Sequence, residues 1–129
     1  VTLIELKGYN REEVCRLMYA VDVCMMTSYT EGSPQFIKEA MVCGCPVVSV
    51  DVGDVVEVTD NVDGCYIADY KSEDLAEKLK QAINFGKRTE GKKRIMDLEM
   101  DSETVAGKII DVYFKTINRK RKGLFNRKR

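Results

Sequence analysis

The chain contains no histidine, and its five cysteines, Cys15, Cys24, Cys43, Cys45 and Cys65, show no Cys-x-x-Cys spacing. A zinc centre needs four ligands at suitable spacing, and only Cys43 and Cys45, flanking Gly44, hint at one, so no metal is expected. An odd cysteine count in mostly apolar contexts reads as reduced core residues of a cytoplasmic protein. Long apolar runs are also missing. The longest uncharged stretch, residues 40–50, is well short of the ~20 residues of a spanning helix, so no membrane crossing is expected. No basic, apolar leader opens the chain, which begins at Val1 in a strand-like run, as a piece cut from a longer protein would. Acidic residues are absent beyond residue 118, where Arg119, Lys120, Arg121, Lys122, Arg127, Lys128 and Arg129 supply 7 of the 21 basic groups. The zero net charge therefore divides into an acidic body, residues 1–118, and a basic tail, residues 119–129. An acidic body is a poor nucleic-acid surface, and no nucleic-acid partner is expected.

What is present fits one globular domain. The 129 residues are 44% apolar and 33% charged, enough to bury a core and too few for a two-domain enzyme. Short β-branched runs alternate with helical periodicity, which predicts an α/β fold with a Rossmann-like parallel sheet and helices on both faces. Strands are predicted at residues 2–6, 23–28, 46–50 and 65–68. The first helix opens at Asn10 with Glu13 three residues on, a capping box, and carries Val14, Leu17, Met18 and Val21 on one side. The second is expected over residues 34–42, with Ser33 as its cap, Pro34 at its first position and Gly44 as its stop. Further helices are expected over residues 55–59, 73–85 and 102–118, with a short one within 87–100. The last shows a stripe of Ala106, Ile109, Ile110, Tyr113 and Ile117.

In open parallel sheets, ligands bind beyond the carboxyl ends of the strands. There the run Ser28, Tyr29, Thr30, Glu31, Gly32, Ser33, Pro34, Gln35 passes from a strand end through a glycine turn into a helix start. Free N–H groups and a positive dipole end suit a phosphate or a polar sugar. A carboxylate can hold vicinal hydroxyls, so Glu31 and Glu39 together could grip two ends of a nucleotide sugar. Spacing alone says little, because Glu5 and Glu13 are also eight apart. The bland alternative makes Glu31 a solvated turn residue and Glu39 an exposed helix position.

The run from Ala20 to Ser28, then Glu31, Gly32, Ser33, Pro34, then Glu39, Ala40, Met41, then Gly44, Cys45, Pro46, Val47, Val48, then Asp51, Val52, Gly53 and Glu57, resembles the C-terminal, donor-binding domain of retaining GT-B glycosyltransferases of family 4. The resemblance implies that Glu31 contacts hydroxyls of the transferred sugar and helps stabilise developing oxocarbenium charge, as the catalytic residue of this half. It implies that Glu39 holds the nucleotide ribose. Backbone amides of Gly32, Ser33 and Gln35 would lie near donor sugar and phosphates, whereas Pro34 has no N–H to offer. The donor is a substrate, and no cofactor is implied. Gly53 is expected in a tight turn, with Glu57 nearby. The basic pair that grips the diphosphate in that family, and its N-terminal domain, have no counterpart here, so the isolated chain should bind donors weakly and transfer nothing. Lys38 is the only cation inside the motif.

The enzymatic rival is a GT-B-fold sugar-nucleotide epimerase, which should carry a His and carboxylate set. A non-catalytic nucleotide-binding module of the same fold is the second rival, and a receiver domain lacks its clustered acids here. The basic tail is a candidate for peripheral contact with the inner face of a membrane, against a solvated, disordered terminus. An exposed sheet edge and last-helix face would favour a homodimer of the fragment.

Overall fold

In the computed structural model, backbone is described for residues 1–126 and side chains for residues 1–118. The chain divides into two units, Val1–Ile95 and Met96–Arg129. The first is an α/β unit with a three-stranded parallel sheet: β1 (Cys24–Met26), β2 (Val47–Val50) and β3 (Cys65–Ala68), in the order β1-β2-β3. Register runs Cys24 to Val47 to Cys65 and Met26 to Ser49 to Ile67. All three carboxyl ends therefore open on one edge.

β2 is the centre of the core, with all four residues shielded from solvent. A near-continuous run of valines there matches a strand covered on both faces. Met18, Ile37, Met41, Cys45 and Val55 are buried with it. Each such side chain contributes roughly 1.5–3 kcal/mol of burial. The hydroxyl of Ser49, also buried, donates to the Val50 carbonyl at 3.1 Å, so no polar atom is stranded there.

The predicted strand at residues 2–6 has no regular secondary structure. A strand exists only as a hydrogen-bonded ladder, and among the described residues this segment has no ladder partner; Val1, Leu3, Ile4 and Leu6 are exposed. The other elements form where local chemistry sets them. α1 (Arg11–Ala20) starts at a complete capping box, in which Asn10 Oδ1 accepts from the Glu13 amide at 3.0 Å and Glu13 Oε2 accepts from the Asn10 amide at 2.8 Å. α2 (Gln35–Val42) ends in a Schellman turn at Gly44, φ +68°, where the amides of Gly44 and Cys45 donate to Met41 and Ala40 carbonyls. α3 (Val55–Thr59) is short, and α4 (Ser72–Phe85) stops at left-handed Gly86. Ile83, expected inside, is exposed.

After α4, one segment closes three helix ends. Arg88 donates from Nη1 to the Met18 carbonyl at 3.0 Å and from Nη2 to the Tyr19 carbonyl, at the end of α1. The Thr89 amide donates to the Gly44 carbonyl at 2.8 Å, just past α2. Arg94, in α5 (Gly91–Asp97), donates to the carbonyls of Glu57 and Val58 in α3. These are the orphan acceptors that helix ends leave.

In the second unit, α6 (Ser102–Asn126) begins beside Asp101, whose Oδ1 accepts from the Thr104 amide at 2.9 Å. Its expected end at Asn118 is passed. The basic segment supplies good helix formers and no proline, so residues 119–126, expected as a disordered tail, continue the helix; residues 127–129 lie outside the described residues. The apolar positions of α6 up to Ile117 are exposed. Among the described residues no helix is long and apolar enough to cross a membrane.

Candidate functional site

Three loops meet at the carboxyl edge of the sheet, following β1, β2 and β3. The first carries Glu31, Gly32 and Ser33, all exposed, and then Pro34, which is buried and anchors the turn. Glu31 pairs with no other side chain among the described residues, so its carboxylate stands open to solvent. α2 follows directly, one residue later than predicted. Pro34, with φ −67° and ψ 117°, is the residue before the helix, and Gln35 is its exposed first residue. The opening N–H groups of α2 have no partner within the helix and present its positive end to the edge.

Ser33 does not cap this helix. Its hydroxyl donates to Asp54 Oδ2 at 2.5 Å and accepts from Lys38 Nζ, and Lys38 Nζ lies 3.2 Å from the same Asp54 oxygen. The side chains of Lys38 and Asp54 are 13% and 23% exposed, so the pair is largely sheltered. A hydroxyl offered a carboxylate and an ammonium gains charge-assisted bonds stronger than a neutral cap. Lys38 is thereby committed to the protein and is not a free counter-charge. Asp54 Oδ1 is buried and has no hydrogen-bond partner among the described residues.

The second loop reaches under the first. Gly53 takes φ +58°, and a Cβ placed there would sit 2.3 Å from the Gly32 carbonyl oxygen and 3.0 Å from that of Glu31. Only glycine allows both the left-handed backbone and this approach. The expected tight turn at Gly53 is present, with a second role as the floor of the Glu31 turn. Glu57 lies exposed in α3, apart from these contacts, and its carbonyl is the acceptor for Arg94.

Two features were not legible beforehand. Arg11 Nη2 at the start of α1 lies 3.8 Å from Glu39 Oε1, with exposures of 91% and 42%. So open a pair adds little stability, but it places an exposed cation beside Glu39. From the third loop, Tyr70 stacks on Tyr29 with centroids 5.1 Å apart and planes 5° from parallel. Its hydroxyl donates to the Ser28 carbonyl at 2.7 Å. Tyr70 thus ties the β3 loop to the backbone that leads into Glu31.

The cysteines divide. Cys24, Cys43 and Cys45 are buried, Cys65 is half-buried and Cys15 is exposed, so Cys15 departs from the expected core placement. Burial pushes the Cys65 thiol up to about 11. Cys24 is raised by hydrogen bonding to Cys45 and by burial.

Residues 2–84 match the family model described as glycosyl transferases group 1. Among known proteins, the chain is 33% identical over 70 residues to N,N'-diacetylbacillosaminyl-diphospho-undecaprenol alpha-1,3-N-acetylgalactosaminyltransferase of Campylobacter jejuni, covering 54% of this chain and 19% of that protein. It is 32% identical over 85 residues to D-inositol 3-phosphate glycosyltransferase of Mycobacterium sp. (strain KMS), covering 65% of this chain and 19% of the relative. The Mycobacterium marinum protein of the same name is 36% identical over 64 residues, covering 49% of this chain and 14% of the relative. The chain thus spans about a fifth or less of the length of the relatives it matches. No solved structure matches it significantly. The parallel sheet, the turn between β1 and α2 and the family match over residues 2–84 agree, and the chain belongs to the glycosyl transferases group 1 family.

Proposed function

We propose that the chain is the donor-binding part of a retaining glycosyltransferase, which moves a sugar from a nucleotide-sugar to a glycan, lipid or protein acceptor. One observation carries the reading: an open carboxylate, Glu31, sits on a turn propped by Gly53 and tied by Ser33 to Asp54, eight residues before Glu39 in α2. A preorganised turn holds a carboxylate where charge develops, at no cost when the reaction occurs. In this reading Glu31 meets hydroxyls of the transferred sugar, Glu39 meets the ribose, and the N–H groups of Gly32, Ser33 and Gln35 face donor oxygens. Arg11, an exposed cation 3.8 Å from Glu39, would leave it for a phosphate. The remainder of the cleft belongs to a further domain of the parent, so the chain alone transfers nothing. The test is an amide NMR titration of the 129-residue chain with UDP, GDP, ADP and their sugars. Selective shifts at residues 31–39 by one nucleotide support the reading, and saturating shifts confined elsewhere overturn it.

The Campylobacter relative is named for a diphospho-undecaprenol substrate. That supports a lipid-linked acceptor, and with it peripheral attachment through the basic residues 119–129, whose side chains lie outside those described. Equal sedimentation on anionic vesicles with and without that segment would remove the attachment.

A further inference from the structure

We infer that Cys15 and Cys43 form a modification site, a thiol pair that a peroxide converts to a disulfide joining α1 to the end of α2. Their sulfurs lie 3.9 Å apart, 28 residues apart in sequence, with Cys15 on α1 and Cys43 capping α2. A disulfide needs about 2.05 Å, so the two sulfurs, already 3.9 Å apart, have about 2 Å to close. Among the described residues no three His, Cys, Asp or Glu side chains group to hold a metal ion, so the pair is not part of a metal cluster.

Accessibility assigns the roles. Cys15 is exposed and Cys43 is 7% exposed, so the oxidant meets Cys15. The Cys15 thiolate attacks one peroxide oxygen; an S–O bond forms, the O–O bond breaks, and the leaving hydroxide takes a proton to become water. The Cys43 sulfur then attacks the Cys15 sulfur; the S–S bond forms, the S–O bond breaks, and a second water leaves with the Cys43 proton. Two thiols lose two electrons and two protons, and hydrogen peroxide becomes two waters. Burial, together with the adjacent Cys15, pushes the Cys43 thiol up to about 11, so it waits protonated and acts second. The closed loop contains both Glu31 and Glu39, so the bond encloses the whole β1-to-α2 passage.

The experiment treats the full 129-residue chain with hydrogen peroxide, blocks remaining thiols with iodoacetamide, and maps the tryptic peptides by mass. The expected result is a loss of about 2 Da in the intact chain before blocking and, after it, a peptide linking Cys15 to Cys43. The link should vanish in Cys15→Ser, whose exposed position leaves the fold intact by its amide spectrum, and in Cys43→Ala. Cys15 driven to sulfinic acid while Cys43 stays alkylated, a link between two chains, or a Cys24 to Cys45 link in its place would each overturn the assignment.

Discussion

Gly53 and Gly32 touch backbone to backbone: the position a Cβ would take on Gly53 lies 2.3 Å from the Gly32 carbonyl oxygen. The loop after β2 is therefore the support on which the Glu31 turn rests. Replacing Gly53 by Ala strains a left-handed backbone and drives the two loops apart, so Gly53→Ala should lose about 1–3 kcal/mol of stability and shift the amides of residues 31–33. Urea unfolding and an amide spectrum measure both. A variant of unchanged stability and spectrum would show that the loops do not bear on each other.

Lys38 and Asp54 should behave as one unit. Removing either charge strands the other where it is mostly shielded, so Lys38→Met or Asp54→Asn should each cost about 1–3 kcal/mol. In a double-mutant cycle the two losses should fall short of additive by about 0.5–3 kcal/mol. Additive losses would mean that the pair is not formed in solution.

Glu31 carries no structural partner among the described side chains, and Glu39 only an open one. Glu31→Gln and Glu39→Gln should therefore leave stability within about 0.5 kcal/mol. Donor affinity, read by the amide titration, should fall roughly tenfold or more for each, the value of a charge-assisted hydrogen bond. A large stability loss with unchanged donor binding would make them structural residues.

Asp101 links α6 to pH. Its hydrogen bond from Thr104 holds the carboxyl below its ordinary value of 3.8. A depressed carboxyl contributes stability that is present above the ordinary value and is lost as pH falls through the lower, folded value. Amide exchange at residues 102–105 should stay slow near neutrality and accelerate, relative to the rest of α6, below about pH 4, and Asp101→Ala should abolish that pH dependence.

What could be read from the sequence was what local chemistry decides. The Asn10 and Glu13 box, the valines of β2 and the stop at Gly44 each depend on residues within a few positions. Glu31 and Glu39 were singled out by resemblance, and the carboxyl edge of the sheet was legible from strand alternation. What escaped depends on partners far along the chain. Residues 2–6 have the composition of a strand, yet no described strand pairs with them. Ser33 has the chemistry of a cap, but Asp54, 21 residues away, takes its hydroxyl. Arg11 meets Glu39, and Tyr70 reaches Ser28 across 42 residues. The helical continuation through residues 119–126 was missed because a run of cations was read as solvated tail rather than as helix-forming side chains.

The closure of three helix ends by residues 88–94 should set the boundary of cooperative unfolding. Similarity to the family ends at residue 84, four residues before Arg88. A polypeptide stopped at that point would keep every residue the family match covers and lose the donors that complete α1 and α3, together with Gly91, which backs onto Met41 in the core. Proteolysis between residues 86 and 88 should consequently release a matched segment that melts without a sharp transition. The piece expected to fold by itself is thus longer than residues 2–84, which the family model covers.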